Sequence, residues 1–287
     1  MKFKDFEIAG RCFRIEGVNL VDAVLDMPGF EKFVKNDESS QPLFKIVYTN
    51  DEPEGAILQY DFETDGVHSQ FSSIDGGYHL LMQHDNGQRE VLWSVQKDNI
   101  VYISGSMMPQ MLRFALWIAY GVMSVCAGRI PIHGSCIVKD DKAYIFLGES
   151  GTGKSTHTRL WRENIEGARL LNDDSPIISA EADGVYIYGS PWSGKTPCYH
   201  QRKFPLGACV RLSQAPFNHI ERLPLLKAYA ALHPSCPPEF AYDDILYEGI
   251  SETLDKILTS VNIYHLQCLP DADAAHLSYN TLSGNGN

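Results

Sequence analysis

An α/β protein with a mainly antiparallel β first half is predicted by three stretches of the sequence. The apolar run Ala143-Tyr144-Ile145-Phe146-Leu147 reads as a buried strand. It leads directly into Gly148-Glu149-Ser150-Gly151-Thr152-Gly153-Lys154-Ser155, which fits the phosphate-loop pattern G-x-x-x-x-G-K-[ST]. Residues 1–107 alternate short β-type runs with turn signals, roughly one strand per ten residues. Between the two lies the longest apolar stretch, Phe114 to Ala127, in which Met111, Ala115, Ile118, Ala119, Val122 and Met123 recur at helical spacing and Gly128 supplies a stop.

In the first half, Leu43 to Tyr48, Ala56 to Tyr60 and Val91 to Val95 have strand character, and Asn86-Gly87 and Gly76-Gly77 are hairpin-like punctuation, which together suggest a meander or a sandwich. The spacings of His68, His79 and His84 match no metal-ligand pattern. The apolar helix is too short to span a bilayer and reads as a core helix, whose stripe could be covered by the β meander. The expected domains are residues 1–107, mainly β, and 108–287, carrying the chemistry; the tail from Ser283 to Asn287 is expected to fray.

Composition sets limits on partners. With 287 residues and 44% apolar content the chain can bury a large core, and its net charge of −12 argues against a sequence-independent grip on nucleic acid or an anionic membrane. The start, Met1 to Glu7, lacks an apolar core of signal-peptide length, and seven scattered cysteines without a C-x-x-C pair suggest reduced thiols, so a cytoplasmic location is expected.

The second half starts with the strand pair Ile132 to Val138 and Lys142 to Leu147, joined by Lys139-Asp140-Asp141. In the loop that follows, glycines let successive N–H groups point at phosphate oxygens, and the next helix adds its N-terminus. Gly148, Glu149, Ser150, Gly151, Thr152, Gly153, Lys154, Ser155 and Thr156 are therefore the expected nucleotide-binding residues, Lys154 for the β/γ charge and Ser155 for Mg²⁺. Ala168 to Pro176 forms a short strand ending in Asp173-Asp174. Asp-Asp before Ser-Pro also suits a solvated turn. Beside a phosphate loop, however, two carboxylates are what phosphoryl transfer needs, one for the metal and one for the acceptor's proton. The expected division is Asp173 as base and Asp174, with Ser155, on Mg²⁺, and the reverse order fits the sequence too. Downstream, Lys195 closes the turn-rich Tyr188 to Gly194, and Arg211 ends the apolar run Leu206 to Val210; each fits either a phosphate or acceptor contact or a solvated surface cation.

His133-Gly134, fifteen residues on Gly148 and the Gly-Glu-Ser-Gly-x-Gly-Lys-Ser loop, and then a strand ending in Asp173-Asp174, resemble the catalytic domain of HPr kinase/phosphorylase and its relatives, which shares a fold with phosphoenolpyruvate carboxykinases. The resemblance covers about 130–200 closely, the rest of the C-terminal half loosely, and residues 1–107 not at all. It implies a carboxykinase-like nucleotide domain, ATP and Mg²⁺ as cofactors, and phosphoryl transfer to a serine of a protein or peptide. It also implies catalytic roles for Lys154, Ser155, Asp173 or Asp174, and His133, which by itself also fits a satisfied turn histidine. The signature loop that typical HPr kinase/phosphorylases use for oligomer contacts and phosphorolysis is not found, and neither is a second-metal or oxaloacetate set, so phosphorylase and decarboxylase chemistry are not implied. A nucleotide-binding regulator without turnover and a small-molecule kinase remain the alternatives.

Overall fold

The computed structural model describes residues 2–36, 41–194 and 196–284. It is a mixed α/β protein with two large sheets, and the chain divides into two compact units, 1–127 with 239–247 and 128–238 with 248–287.

The first unit holds β1 (Phe3–Ile8), β2 (Arg11–Glu16), α1 (Val18–Asp26), β3 (Val34–Lys35), β4 (Phe44–Tyr48), β5 (Ile57–Thr64), β6 (Val67–Ile74), β7 (Gly77–His84), β8 (Arg89–Val95), β9 (Ile100–Gly105) and α2 (Pro109–Ser124). Its strands form one sheet in the order β3-β1-β2-β4-β9-β8-β7-β6-β5. β5 to β9 are the expected antiparallel meander, with Gly76 at φ 71° and Gly87 at φ 87° in the hairpin turns. β4, however, pairs parallel with both β2 and β9. A parallel pair needs a crossover, and α1 lies in the connection from β2 to β4.

Phe13 stacks on Phe6 and Phe44 at centroid distances of 5.7 and 5.1 Å, and Tyr120 of α2 meets it edge-on at 6.4 Å. Helix α2 buries Met111, Leu112, Ala115, Ile118 and Ala119 and packs on β7 and β8. The unit boundary thus falls at Ala127/Gly128 rather than at 107/108, because the apolar stripe of α2 is covered by the β meander. By length and composition Pro109–Ala127 reaches the measure of a membrane-crossing helix, longer than the sequence stretch suggested, yet most of it is buried inside the unit as a core helix is.

The second unit holds β10 (Arg129–Pro131), β11 (Gly134–Lys139), β12 (Lys142–Leu147), α3 (Lys154–Asn164), β13 (Arg169–Asp174), β14 (Ile177–Glu181), β15 (Gly184–Tyr188), β16 (Lys203–Gln214), β17 (His219–Arg222) and α4 (Leu225–Leu232). After α5 (Asp244–Ser260), whose first turn counts with the first unit, come β18 (Asn262–Cys268) and α6 (Ala272–Ser283). β16 joins two half-sheets: its start pairs antiparallel with β15, and the rest runs parallel between β12 and β18. Arg211 therefore sits inside a twelve-residue strand, not at a strand end.

Tyr144, Phe146, Val210, Leu212 and Leu266 of the sheet pack with Leu160 and the fully buried Trp161 of α3. Trp161 Nε1 donates to Ser278 Oγ of α6 at 2.8 Å, so its polar edge is satisfied within the core.

Candidate functional site

β11 runs antiparallel to both β12 and β13, so those two strands point the same way and end on one edge of the sheet. The register places Asp174, Gly134, Leu147, Arg211 and His265 in one row across that edge. This row explains why the histidine before β11, the loop after β12 and the aspartates ending β13 converge despite their separation in sequence. Gly134 is closely packed: a Cβ there would lie 2.8 Å from Ile145 Cδ1 and 2.9 Å from Leu147 Cδ2, and those side chains would have to shift.

The phosphate loop turns on Gly148, Gly151 and Gly153, with φ of 153°, 83° and 103°. At Gly148 a Cβ would come within 2.5 Å of Thr152 Oγ1, so the loop's first residue must be glycine. No side chain caps α3 and no acidic residue occupies its first turn, which leaves its first N–H groups for an anion. Lys154 Nζ donates to the carbonyls of Gly148 and Glu149 at 2.8 and 3.0 Å. Burial, with the charge of Arg211, pulls the Lys154 ammonium below its ordinary value, and Asp174 and Asp173 act the other way.

The two aspartates have different surroundings. Asp173 is 3% exposed and accepts from Ser155 Oγ at 2.8 Å on Oδ1, while its buried Oδ2 has no hydrogen-bond partner. A hydroxyl at the start of the loop helix against a carboxylate with an orphaned oxygen is a donor set suited to a hard divalent cation. No three His, Cys, Asp or Glu side chains among the described residues converge to hold a metal by themselves.

Asp174 lies nearer the surface, with His133 Nδ1 3.6 Å from its Oδ1 and side-chain exposures of 42% and 47%. Burial raises the Asp174 pKa, opposed chiefly by His133; burial and the Lys154 charge lower that of His133. The backbone of Asp174 has φ 146°, a glycine-like value that a side chain adopts only under constraint. Its constraints are visible: the register with Gly134, a bridge to Ser193, and Ser175 Oγ donating to its Oδ2 at 3.3 Å.

Residues that the sequence did not single out support this edge. Asn172, fully buried, donates to the carbonyl oxygens of Ser190 and Trp192 and accepts from Ser175 N–H. Ser190 Oγ donates to the Ser175 carbonyl at 2.6 Å, and the Gly194 N–H donates to the Asp173 carbonyl. The segment after β15 is thereby fastened to the end of β13. Gln214 donates to the Gly151 carbonyl at 3.1 Å and holds the loop from the β16 side. An Asn immediately before the aspartate pair was the one local sign; the other partners are remote in sequence.

The structure gathers His133, Ser150, Gly151, Gly153, Lys154, Ser155, Thr156, Asp173 and Asp174 around one cleft of about 280 Å³. Gly148, Glu149 and Thr152 complete the loop behind it, with Thr152 Oγ1 donating to the Glu149 carbonyl at 2.8 Å. Arg211 lines a different opening with Glu149, Ser213 and His265, its guanidinium 3.7 Å from Glu149 Oε1. Lys195 lies outside the described residues. The histidines of the first unit form no cluster: His68 pairs with Asp61, and His79 is buried.

No protein-family model matches the chain. No curated protein matches it either. Among solved structures, the Hpr(Ser) kinase/phosphatase from Coxiella burnetii matches 54% of this chain and 89% of its own, at 13% identity and a TM-score of 0.30. The overlay is partial, and the functional reading rests on this chain's own residues.

Proposed function

We propose that the second unit is a phosphotransferase that uses Mg²⁺ and ATP to phosphorylate a hydroxyl, a serine of a protein or peptide. One observation carries the reading. Around the ammonium of Lys154, one carboxylate is buried against the loop serine and the next is open to the surface beside a histidine.

On ATP binding, Lys154 exchanges the carbonyls of Gly148 and Glu149 for phosphate oxygens, and the free N–H groups at the start of α3 meet the rest of the triphosphate. Ser155 and Asp173 would hold Mg²⁺, which neutralises charge on the transferring group when bound. Asp174 accepts the acceptor's proton as its oxygen bonds to the γ-phosphorus and the bond to the β-phosphate oxygen breaks. His133 sets the charge state of that carboxylate. This division exchanges the roles expected from sequence, because Ser155 reaches Asp173 while only Asp174 is open enough to meet a hydroxyl on a large partner.

The test is incubation with Mg²⁺, γ-labelled ATP and fractionated lysate. Label should enter a protein fraction as phosphoserine, and Asp174→Asn should bind ATP normally and transfer none. Label entering only small metabolites would refute the acceptor class. Full transfer by Asp174→Asn would refute the base.

A further inference from the structure

The sheet of the first unit ends on β5, a strand of eight residues with one side unpaired among the described residues. Natural edge strands are commonly guarded by Lys, by Pro or by brevity, and β5 has none of these. Its shift of register falls near its start, between Leu58 and Tyr60, so Tyr60 to Thr64 run as a regular edge. Ile57 and Leu58 are apolar and 69% and 52% exposed.

Successive side chains of a strand point to opposite faces, and in β5 the two faces differ in chemistry. Tyr60, Phe62 and Thr64 share the face turned toward α2: Phe62 stacks on Tyr60 at 5.3 Å and meets Phe114 edge-on at 5.9 Å. On that face lies a cavity of about 300 Å³, where Val67, Met82, Met111 and Phe114 join Phe62 and Thr64 in the lining. No Lys or Arg lines it. Asp61 and Glu63, both exposed, stand on the opposite face. A strand laid along the free side therefore meets aromatic and apolar groups with every second residue and carboxylates with the rest.

We infer that the free side of β5 is a docking edge for a partner protein, which adds an extended segment whose residues alternate between large apolar and basic. Main-chain hydrogen bonds along the edge supply affinity, and the alternate side chains supply selectivity. The apolar ones enter beside Phe62 and Thr64, and the basic ones pair across the strands with Asp61 and Glu63. The charge pattern decides the occupant. A second copy pairing Asp61 with Glu63 would set like charges opposite one another, which destabilises a sheet, in a chain already at a net charge of −12. A basic segment turns the same carboxylates into attraction. The inference is independent of phosphoryl transfer, because every residue it uses lies in the first unit.

Fluorescence anisotropy on the full chain tests it with a labelled nonapeptide that alternates Leu and Lys. Three counterparts are compared: Glu in place of Lys, the same residues sorted into a Leu block and a Lys block, and the alternating peptide with its amides N-methylated. The natural protein should bind the alternating peptide about tenfold or more tightly than each counterpart. Glu63→Lys should weaken that binding by about tenfold or more. Glu166→Lys, the same change of charge on an exposed residue of the second unit, should leave it within about twofold. Equal weakening by both variants would reduce the binding to attraction between net charges and overturn the inference. Equal binding of the N-methylated peptide, measured on the natural protein alone, would overturn strand addition. Sedimentation velocity of the natural protein and of Ile57→Asp should agree; a dimer present in the first and lost in the second would put a second copy on the edge and overturn the inference as well.

Discussion

Substituting Asp173 by Asn should leave the protein about as stable without ligand and make it worse at its task with it. The side chain is 3% exposed, and Oδ2 has no hydrogen-bond partner. Leaving such a buried acceptor unsatisfied costs about 1–3 kcal/mol. Asn keeps an oxygen for the Ser155 hydroxyl, at 2.8 Å in the natural protein, and puts an amide N–H₂ where Oδ2 has no partner, so one unpartnered buried group replaces another. The expected change in stability is therefore within about 1 kcal/mol, or about 3 °C in melting temperature for a unit of this size. Differential scanning calorimetry in EDTA reads it. The same substitution should raise the Mg²⁺ concentration needed for ATP binding by about 10–100-fold, as loss of a metal-orienting carboxylate does. A variant that melts lower in EDTA and keeps its Mg²⁺ dependence would make Asp173 a structural acceptor for Ser155, and the metal assignment would fail.

Two further results are expected. The acid limb of the transfer rate should lie above the ordinary carboxylate range, since burial raises the Asp174 pKa. His133→Ala should move that limb to higher pH by removing the charge that favours ionised Asp174; a pH–rate profile unchanged by the substitution would contradict the coupling. In the first unit, Glu90 is fully buried, accepts from Met107 N–H at 2.7 Å, and burial raises its pKa from 4.5 to about 7. The folded state therefore holds this proton more tightly, so stability is fully present below pH 4.5 and falls as pH rises through 7, by about 3 kcal/mol in all. Glu90→Gln should raise the melting temperature at pH 8 and change it little at pH 4; equal effects at both would contradict the shift.

The segment from Gly134 to Asp174 was legible because each of its signals is local. The apolar runs of β11 and β12, their Asp140-Asp141 turn with both φ positive, the loop and the helix behind it all lie within neighbouring residues. What escaped depends on pairing between distant stretches. Nothing near β4 announces that it joins β2 and β9 in parallel, and the return of Glu239–Tyr247 to the first unit depends on contacts made across more than a hundred residues. Helix α2 was recognised from its 3.6-residue period, but a period states that a face is buried, not by which neighbour. The aspartate pair is visible in the sequence, but the contact that distinguishes its two members, Ser155 with Asp173, needs the register between β11 and β13.

The central claim, that Lys154 and its loop form a nucleotide phosphate site, is tested most directly by calorimetric titration of Mg–ATP into the natural protein and Lys154→Ala. The loop offers the phosphates one side-chain cation, so the variant should bind at least tenfold more weakly, about 1.4 kcal/mol. Equal affinity in the two proteins, with both folded, would contradict the account.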